Sequence, residues 1–286
     1  MTFVLLHASV FELKKELIPN FNVWLFVSYF NRIKNSSFYD EFSYYFDSYL
    51  SFNNFVANYT IMNQPTIQPE LFQFLNELAE NNERPWFNEH KPRFQELDKH
   101  MKAFGKALEA EMNKHDMVEP VKLYRIYRDV RFSKNKVPYK TNRGGSFTRA
   151  TKFRRGGYYF HLEPGNSFVA GGFWGPNKED LKRIRVEIAA DAQSLREIIA
   201  QPIFIQTFGE LKGAQLKTAP RDYPKDHPDI DLLRYKQYLL IRNFTDKEVL
   251  AKDFLQKLNQ SFANMRPFLD YMSDVLTTDE NGVPIQ

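Results

Sequence analysis

The chain has 286 residues, no cysteine and a formal net charge of +4. The missing cysteine excludes disulfide scaffolds, thiolate zinc sites, iron–sulfur clusters and cysteine nucleophiles. A hydrophobic fraction of 43% beside 26% charged residues is that of a soluble globular chain with a core, neither disordered nor collagen-like. Residues 1–61 stand apart in composition. They hold 17 aromatic residues, no glycine and a single proline, Pro19. A signal peptide needs a basic start and an unbroken apolar stretch, and His7 and Ser9 interrupt the one here. The run Val23 to Phe30 is too short to span a membrane. Phe11 to Leu17 suits a helical turn or two. The preferred expectation is that 1–61 is an atypical leader, a mis-assigned translation start, and that the native chain opens at Met62.

From there the elements follow in order. Gln68-Pro69 opens a helix striped by Leu71, Phe72, Leu75 and Leu78 and ended by Asn81-Asn82. A longer helix is predicted from Pro92, with Phe94, Leu97, Met101, Phe104 and Leu108 on one face. Trp86-Phe87 is expected to pack between the two. Tyr124 to Phe132 is rich in β-formers and reads as a strand. Tyr158 to Leu162 and Ser167 to Trp174 read as a hairpin turning through Glu163-Pro164-Gly165-Asn166. Asn177 caps a helix carrying Leu181, Ile184 and Ile188, and Asp191 caps another. Tyr238 to Phe244 is a further strand. Thr245-x-x-Glu248 is a capping box that introduces Leu250, Phe254, Leu258 and Phe262, a helix that Pro267 is expected to break or restart. Helices bracketing strands predict one α+β domain over 62–286, with a central, mainly antiparallel sheet flanked by helices.

The charge is concentrated. Residues 121–157 hold twelve Lys and Arg side chains against one acid, Asp129. Such a segment must find negative charge or stay solvated. Acids on the helices are one source and an anionic ligand is another. Tyr124, Tyr127, Phe132, Tyr139, Phe147 and Phe153 interleave with the cations, which distinguishes the segment from a loose basic tail. In an extended strand Arg128 falls on the apolar face with Tyr124, Ile126, Val130 and Phe132. It then needs either an acid or a ligand. Asp129, among three arginines, is expected to orient them.

The stretch Arg125-x-x-Arg128-Asp129-x-Arg131-Phe132-Ser133-x-x-Lys136-x-Pro138-Tyr139-Lys140-Thr141 resembles the signature of an uncharacterised family, domain of unknown function 2461. The resemblance extends through Asn81-Asn82-x-Arg84-x-Trp86-Phe87, Tyr159-x-His161-Leu162, Gly171-Gly172-x-Trp174 and Asp226-His227-Pro228. It implies no activity, cofactor or catalytic residue.

The residues support three readings. In the first, the segment 125–141 binds a small phosphate- or carboxylate-bearing ligand. Arg125 and Arg131 clamp it, Asp129 orients them and Arg128 supports from the core side. Lys136 and Lys140 add positive potential, and Ser133 and Tyr139 donate hydrogen bonds. His161, on one face with Tyr159 and Glu163, is the acid/base candidate should chemistry occur. In the second, basic and aromatic residues of 121–157 bind nucleic acid. In the third, the motif is purely structural. The histidines lack metal-ligand spacing, no nucleotide loop is present, and no cofactor is predicted. Asp226-His227 reads as loop structure, and Gly171-Gly172 as close backbone packing. No export signal is visible, which predicts a cytoplasmic protein.

Overall fold

The computed structural model describes residues 64–279 and 282–285; the expectations for 1–61 and for a start at Met62 fall outside them. Pro69 fixes the first turn of α1 (Pro69–Glu80), and Leu71, Phe72, Phe74, Leu75 and Leu78 give it one buried face. α2 (Arg84–Met112) begins a full two turns before the predicted Pro92. Pro85 supplies the initiating proline, and Pro92 is carried inside the helix, where it forfeits one backbone bond. Phe87 therefore sits within α2, fully buried, and not in a connection between helices.

Five strands follow: β1 (Lys122–Leu123), β2 (Arg143–Thr148), β3 (Gly157–Leu162), β4 (Ser167–Phe173) and β5 (Tyr238–Phe244). They form one sheet in chain order, every neighbour antiparallel. Between β4 and β5 lie α3 (Lys178–Ala190), α4 (Gln193–Ala200), α5 (Pro202–Phe208) and α6 (Ile230–Leu233). The Asn177 side chain accepts from the Asp180 N–H at 2.7 Å and caps α3 as expected. The Thr245–Glu248 box closes only a single turn, α7 (Asp246–Val249). α8 (Phe254–Thr277) starts separately and runs through Pro267 unbroken. The fold is α+β, one antiparallel sheet flanked by helices. No described helix is long and apolar enough to cross a membrane.

β3 shows how the sheet takes its sides. Tyr158, Phe160 and Leu162 are buried while Tyr159 and His161 are half-buried on the other face. Phe160 meets Phe104 of α2 edge-on at 6.4 Å, and Tyr158 meets Phe262 of α8 at 5.0 Å. α8 lies so close to β4 that a Cβ on Gly171 would sit 2.3 Å from Met265 Sδ, so glycine is required there.

One buried ionic cluster joins these layers. Asp116, in the connection from α2 to β1, has a fully buried side chain, and Arg149, just past β2, is 1% exposed. Arg149 Nε donates to Asp116 Oδ2 at 2.7 Å, and its Nη atoms reach Asp270 of α8 and Ser273 Oγ at 3.1 Å. The Tyr158 hydroxyl donates to Asp116 Oδ2 at 2.7 Å, and Arg154 pairs with Oδ1. Burial works to raise the Asp116 carboxyl, but the hydrogen bonds from Arg149 and Tyr158 outweigh it and hold it below the ordinary aspartate value. A carboxyl that is more acidic folded than unfolded contributes stability above an unfolded value of about 4 and loses it as pH falls through the folded value. Asp116→Ala is expected to cost about 3 kcal/mol at neutral pH, since it takes a buried carboxylate from Arg149, Arg154 and Tyr158 and leaves Arg149 with Asp270 as its one carboxylate, and urea melts measure it. Asp116→Asn is expected to flatten the loss of stability below about pH 4, read from the same melts across the acid range.

Candidate functional site

Tyr124 N–H still donates to Gly144 O of β2 at 2.9 Å, but beyond it the predicted strand Tyr124–Phe132 is not a strand. From Ile126 onward its backbone pairs with its own return limb. Arg128 N–H donates to Pro138 O and Lys140 N–H to Ile126 O, both at 2.8 Å, around a Tyr127–Tyr139 bridge. The result is a short two-limbed arm, 125–141. Its base is fixed by Ile126 and Tyr139, both buried. The Tyr139 ring stacks on Phe87 of α2 at 4.0 Å. Asn82, predicted only as a helix terminator, clamps the Tyr139 backbone from both sides, donating to its carbonyl and accepting from its N–H at 3.1 Å each.

The arm separates the predicted site residues into three groups. At the tip, Asp129 holds Arg131 alone (Oδ1–Nε 3.0 Å, Oδ2–Nη2 2.6 Å) and does not bridge three arginines. Arg131 lowers the Asp129 carboxyl, with Arg125 contributing at longer range. The pair is exposed, a setting in which ion pairs add little stability. Lys136 Nζ donates to the Val130 carbonyl at 2.9 Å, and Ser133 N–H turns back toward the same oxygen. Beneath the arm, Tyr139 is a packing residue whose phenol is pushed up by burial. The third group is Arg125, Arg128 and Lys140. Among the described residues none of the three has an acidic group within ion-pair distance.

Lys140 is their centre. Its ammonium lies 5.4 Å from the Tyr124 ring centroid. Burial, then the like charges of Arg143, Arg125 and Arg128, push it below the ordinary lysine value. Arg143 is 3% exposed and pairs with Asp98 of α2, while its Nη1 donates to Tyr124 O at 2.6 Å. Its buried Nε has no hydrogen-bond partner among the described residues.

Thr141 connects this cluster to the sheet. Its hydroxyl donates to Glu163 Oε1 at 3.0 Å, and Asn166 donates to Oε2 at 2.8 Å. His161 Nε2 lies 3.2 Å from Glu163 Oε2, and Nδ1 lies 2.8 Å from the Tyr159 hydroxyl. Burial opposes the Glu163 charge, but the Asn166, His161 and Thr141 hydrogen bonds prevail and keep its carboxyl below the usual range. An ionised Glu163 only accepts, so neutral His161 carries its proton on Nε2, and the Tyr159 hydroxyl donates to Nδ1. The His161 ring stacks on Phe168 of β4 at 4.7 Å. Gly144 faces His161 across the ladder. A Cβ there would lie 2.6 Å from Phe160 O and 3.1 Å from the Tyr159 hydroxyl, so the Tyr–His pair fits only over glycine. His227 Nδ1 accepts from the Asp229 N–H at 3.0 Å, a loop contact.

One concavity lies elsewhere. It measures about 540 Å³ and is lined by Asp191, Arg196, Glu197 and Asp229 near α4. Its cation, Arg196, is engaged by Asp229 and Asp231 at 2.7 Å each. A smaller cavity lies under Ile67, Leu71 and Met101. The arm lines neither.

Fold and site together define an α+β protein with an antiparallel sheet and a basic arm at its first edge. Residues 70–271 match the family described as Conserved hypothetical protein (DUF2461), and the chain belongs to that family. No curated protein and no solved structure matches it.

The crowding of like charge at Lys140 has a measurable consequence. Lys140→Met is expected to raise the Tm of the ligand-free protein by about 2 °C, because it removes repulsion and keeps the aliphatic packing on Tyr124. A scanning calorimetry trace in which the variant melts lower would assign Lys140 a structural role instead.

Proposed function

We propose that the protein binds a small anionic ligand, phosphate- or carboxylate-bearing, through Arg125, Arg128 and Lys140. One observation carries the reading. Every other arginine of 121–157 has its own carboxylate: Arg131 has Asp129, Arg143 has Asp98, Arg149 and Arg154 share Asp116, and Arg155 has Asp180. The two arginines without one stand beside a half-buried lysine whose charge they disfavour. An anion there restores the missing compensation with the planar donors that suit phosphate and carboxylate. Of the eight binding residues predicted from sequence, Arg125, Arg128 and Lys140 serve as direct contacts. Arg131, Asp129, Lys136, Ser133 and Tyr139 hold the arm in shape.

The Tyr159–His161–Glu163 chain gives the site an acid/base element next door. Thr141 sits between Lys140 and Glu163, and Tyr159 is 6.1 Å from Tyr124, centroid to centroid. Burial, then Tyr124 and Glu163, push the Tyr159 phenol up, so Tyr159 stays protonated and fixes His161 by donating to Nδ1.

The test is a thermal shift and calorimetric titration with inorganic phosphate and with acetate at neutral pH. Binding at a Kd ten times below the ligand concentration is expected to add about 1.4 kcal/mol of stability. Arg128→Ala combined with Lys140→Met abolishes the shift, whereas Arg131→Ala keeps it. Equal loss in all variants, or no shift in the wild type with millimolar anion, rules the reading out.

A further inference from the structure

The tip of the arm carries an unexplained feature. Phe132 is 96% exposed, whereas Phe74, Phe87, Phe104, Phe147 and Phe160 are all buried. Tyr127, nearer the base, is 43% exposed. A lone exposed aromatic needs no partner to explain it. Here, however, the aromatics alternate with the very cations that lack carboxylates: Lys140 and Tyr124, then Arg125, Tyr127, Arg128 and Phe132.

We infer that the anion held by the arm is a phosphodiester of a single-stranded nucleic acid, with Phe132 and Tyr127 as platforms for its bases. The inference rests on the anion site proposed above and names its occupant. Aromatic rings beside unpaired cations are the means by which single strands are held without a base-pair readout: phosphates meet the cations and bases stack on the rings. The Arg131 guanidinium lies 6.0 Å from the Phe132 centroid but is paired with Asp129, so the positive charge that draws a strand comes from Arg125, Arg128 and Lys140.

The placement of the cations argues against the other polyanionic surface with a taste for exposed aromatics, an acidic bilayer. A bilayer meets the tip first and draws on basic residues there. At the tip the Arg131 fork is engaged by Asp129 and the Lys136 ammonium by the Val130 carbonyl, which among the described residues leaves Lys134 as the exposed tip cation without a partner. Arg125, Arg128 and Lys140 lie back along the limbs, toward β1, so most of the uncompensated charge sits away from the tip that a bilayer meets first. A folded duplex is disfavoured for the same reason: its bases are already stacked on one another and leave Phe132 without a role.

Fluorescence anisotropy on the full chain tests this with a labelled single-stranded RNA of about twelve nucleotides and an abasic oligomer of the same length. Phe132→Ala is expected to weaken binding of the RNA roughly tenfold. The abasic oligomer is expected to bind the wild type more weakly than the RNA binds Phe132→Ala, because it loses stacking on Tyr127 as well as on Phe132. Arg128→Ala is expected to weaken both oligomers and to flatten the salt dependence. Equal affinity for the RNA and the abasic oligomer overturns the inference and leaves a general polyanion site. No oligomer binding, with the phosphate thermal shift retained, overturns it while the small-anion reading stands; loss of both removes both. Capture by phosphatidylserine vesicles that depends on Phe132, without RNA binding, overturns it in favour of a lipid surface. Phe132 is exposed in a loop, so its truncation leaves the fold intact, and unchanged melting of the variant verifies this.

Discussion

Twelve basic side chains against one acid within 37 residues do not pack unless carboxylates arrive from elsewhere in the chain. The layout of the protein follows from where they come. α2 contributes Asp98 to Arg143, and the turn after α2 contributes Asp116 to Arg149 and Arg154. α3 contributes Asp180 to Arg155, and α8 contributes Asp270 to Arg149. Three of these pairings tie the first half of the sheet and its connections to α2, α3 and α8, and Asp116 ties Arg149 and Arg154 to the turn after α2. Two of the guanidiniums, on Arg143 and Arg149, are almost wholly buried. Such groups tolerate no loss of partner, and so they constrain how the helices sit on the strands more sharply than apolar contacts alone.

Local signals were legible where one short stretch decides the outcome. Pro69 and Asn177 open helices, and the alternation of Tyr158, Phe160 and Leu162 against Tyr159 and His161 sets the faces of β3. Signals that depend on what lies opposite were not. Tyr124–Phe132 has the composition of a strand, but a strand is defined by its ladder, and past Tyr124, which still bonds Gly144, the segment turns to its own return limb. Pro267 lies in α8 without breaking it because that helix is held along its length by Phe262, Met265, Phe268 and Leu269 in the core, and packing overrides the local penalty. Thr245 and Glu248 made their box, yet the helix ended after one turn.

The candidate site shows the same division. His161 between Tyr159 and Glu163 was readable from spacing alone, since residues two apart on a strand share a face. Which of the basic residues lack a carboxylate was not readable, because Asp98, Asp116 and Asp180 are remote in sequence from the arginines they meet. Asp116, the most consequential acid, stands in His115-Asp116-Met117 with no pattern around it. Asn82 was visible as part of Asn81-Asn82, but its role as a clamp on Tyr139 depends on a contact 57 residues away.

The arm explains how unpaired like charges can be kept together at all. In a free basic tail Arg125, Arg128 and Lys140 would drift apart, and a ligand would have to gather them against their repulsion and their side-chain entropy. Here the gathering is done by groups that carry no charge: Ile126 and Tyr139 in the core, the Tyr139 ring on Phe87, and the two hydrogen bonds from Asn82. Apolar burial of this kind contributes on the order of a few kcal/mol, enough to offset the repulsion among a few half-solvated cations near the surface. The arm's fixed backbone therefore brings the three cations near one another without help from a ligand, and on the proposed anion-binding reading less binding free energy is consumed in assembling the site.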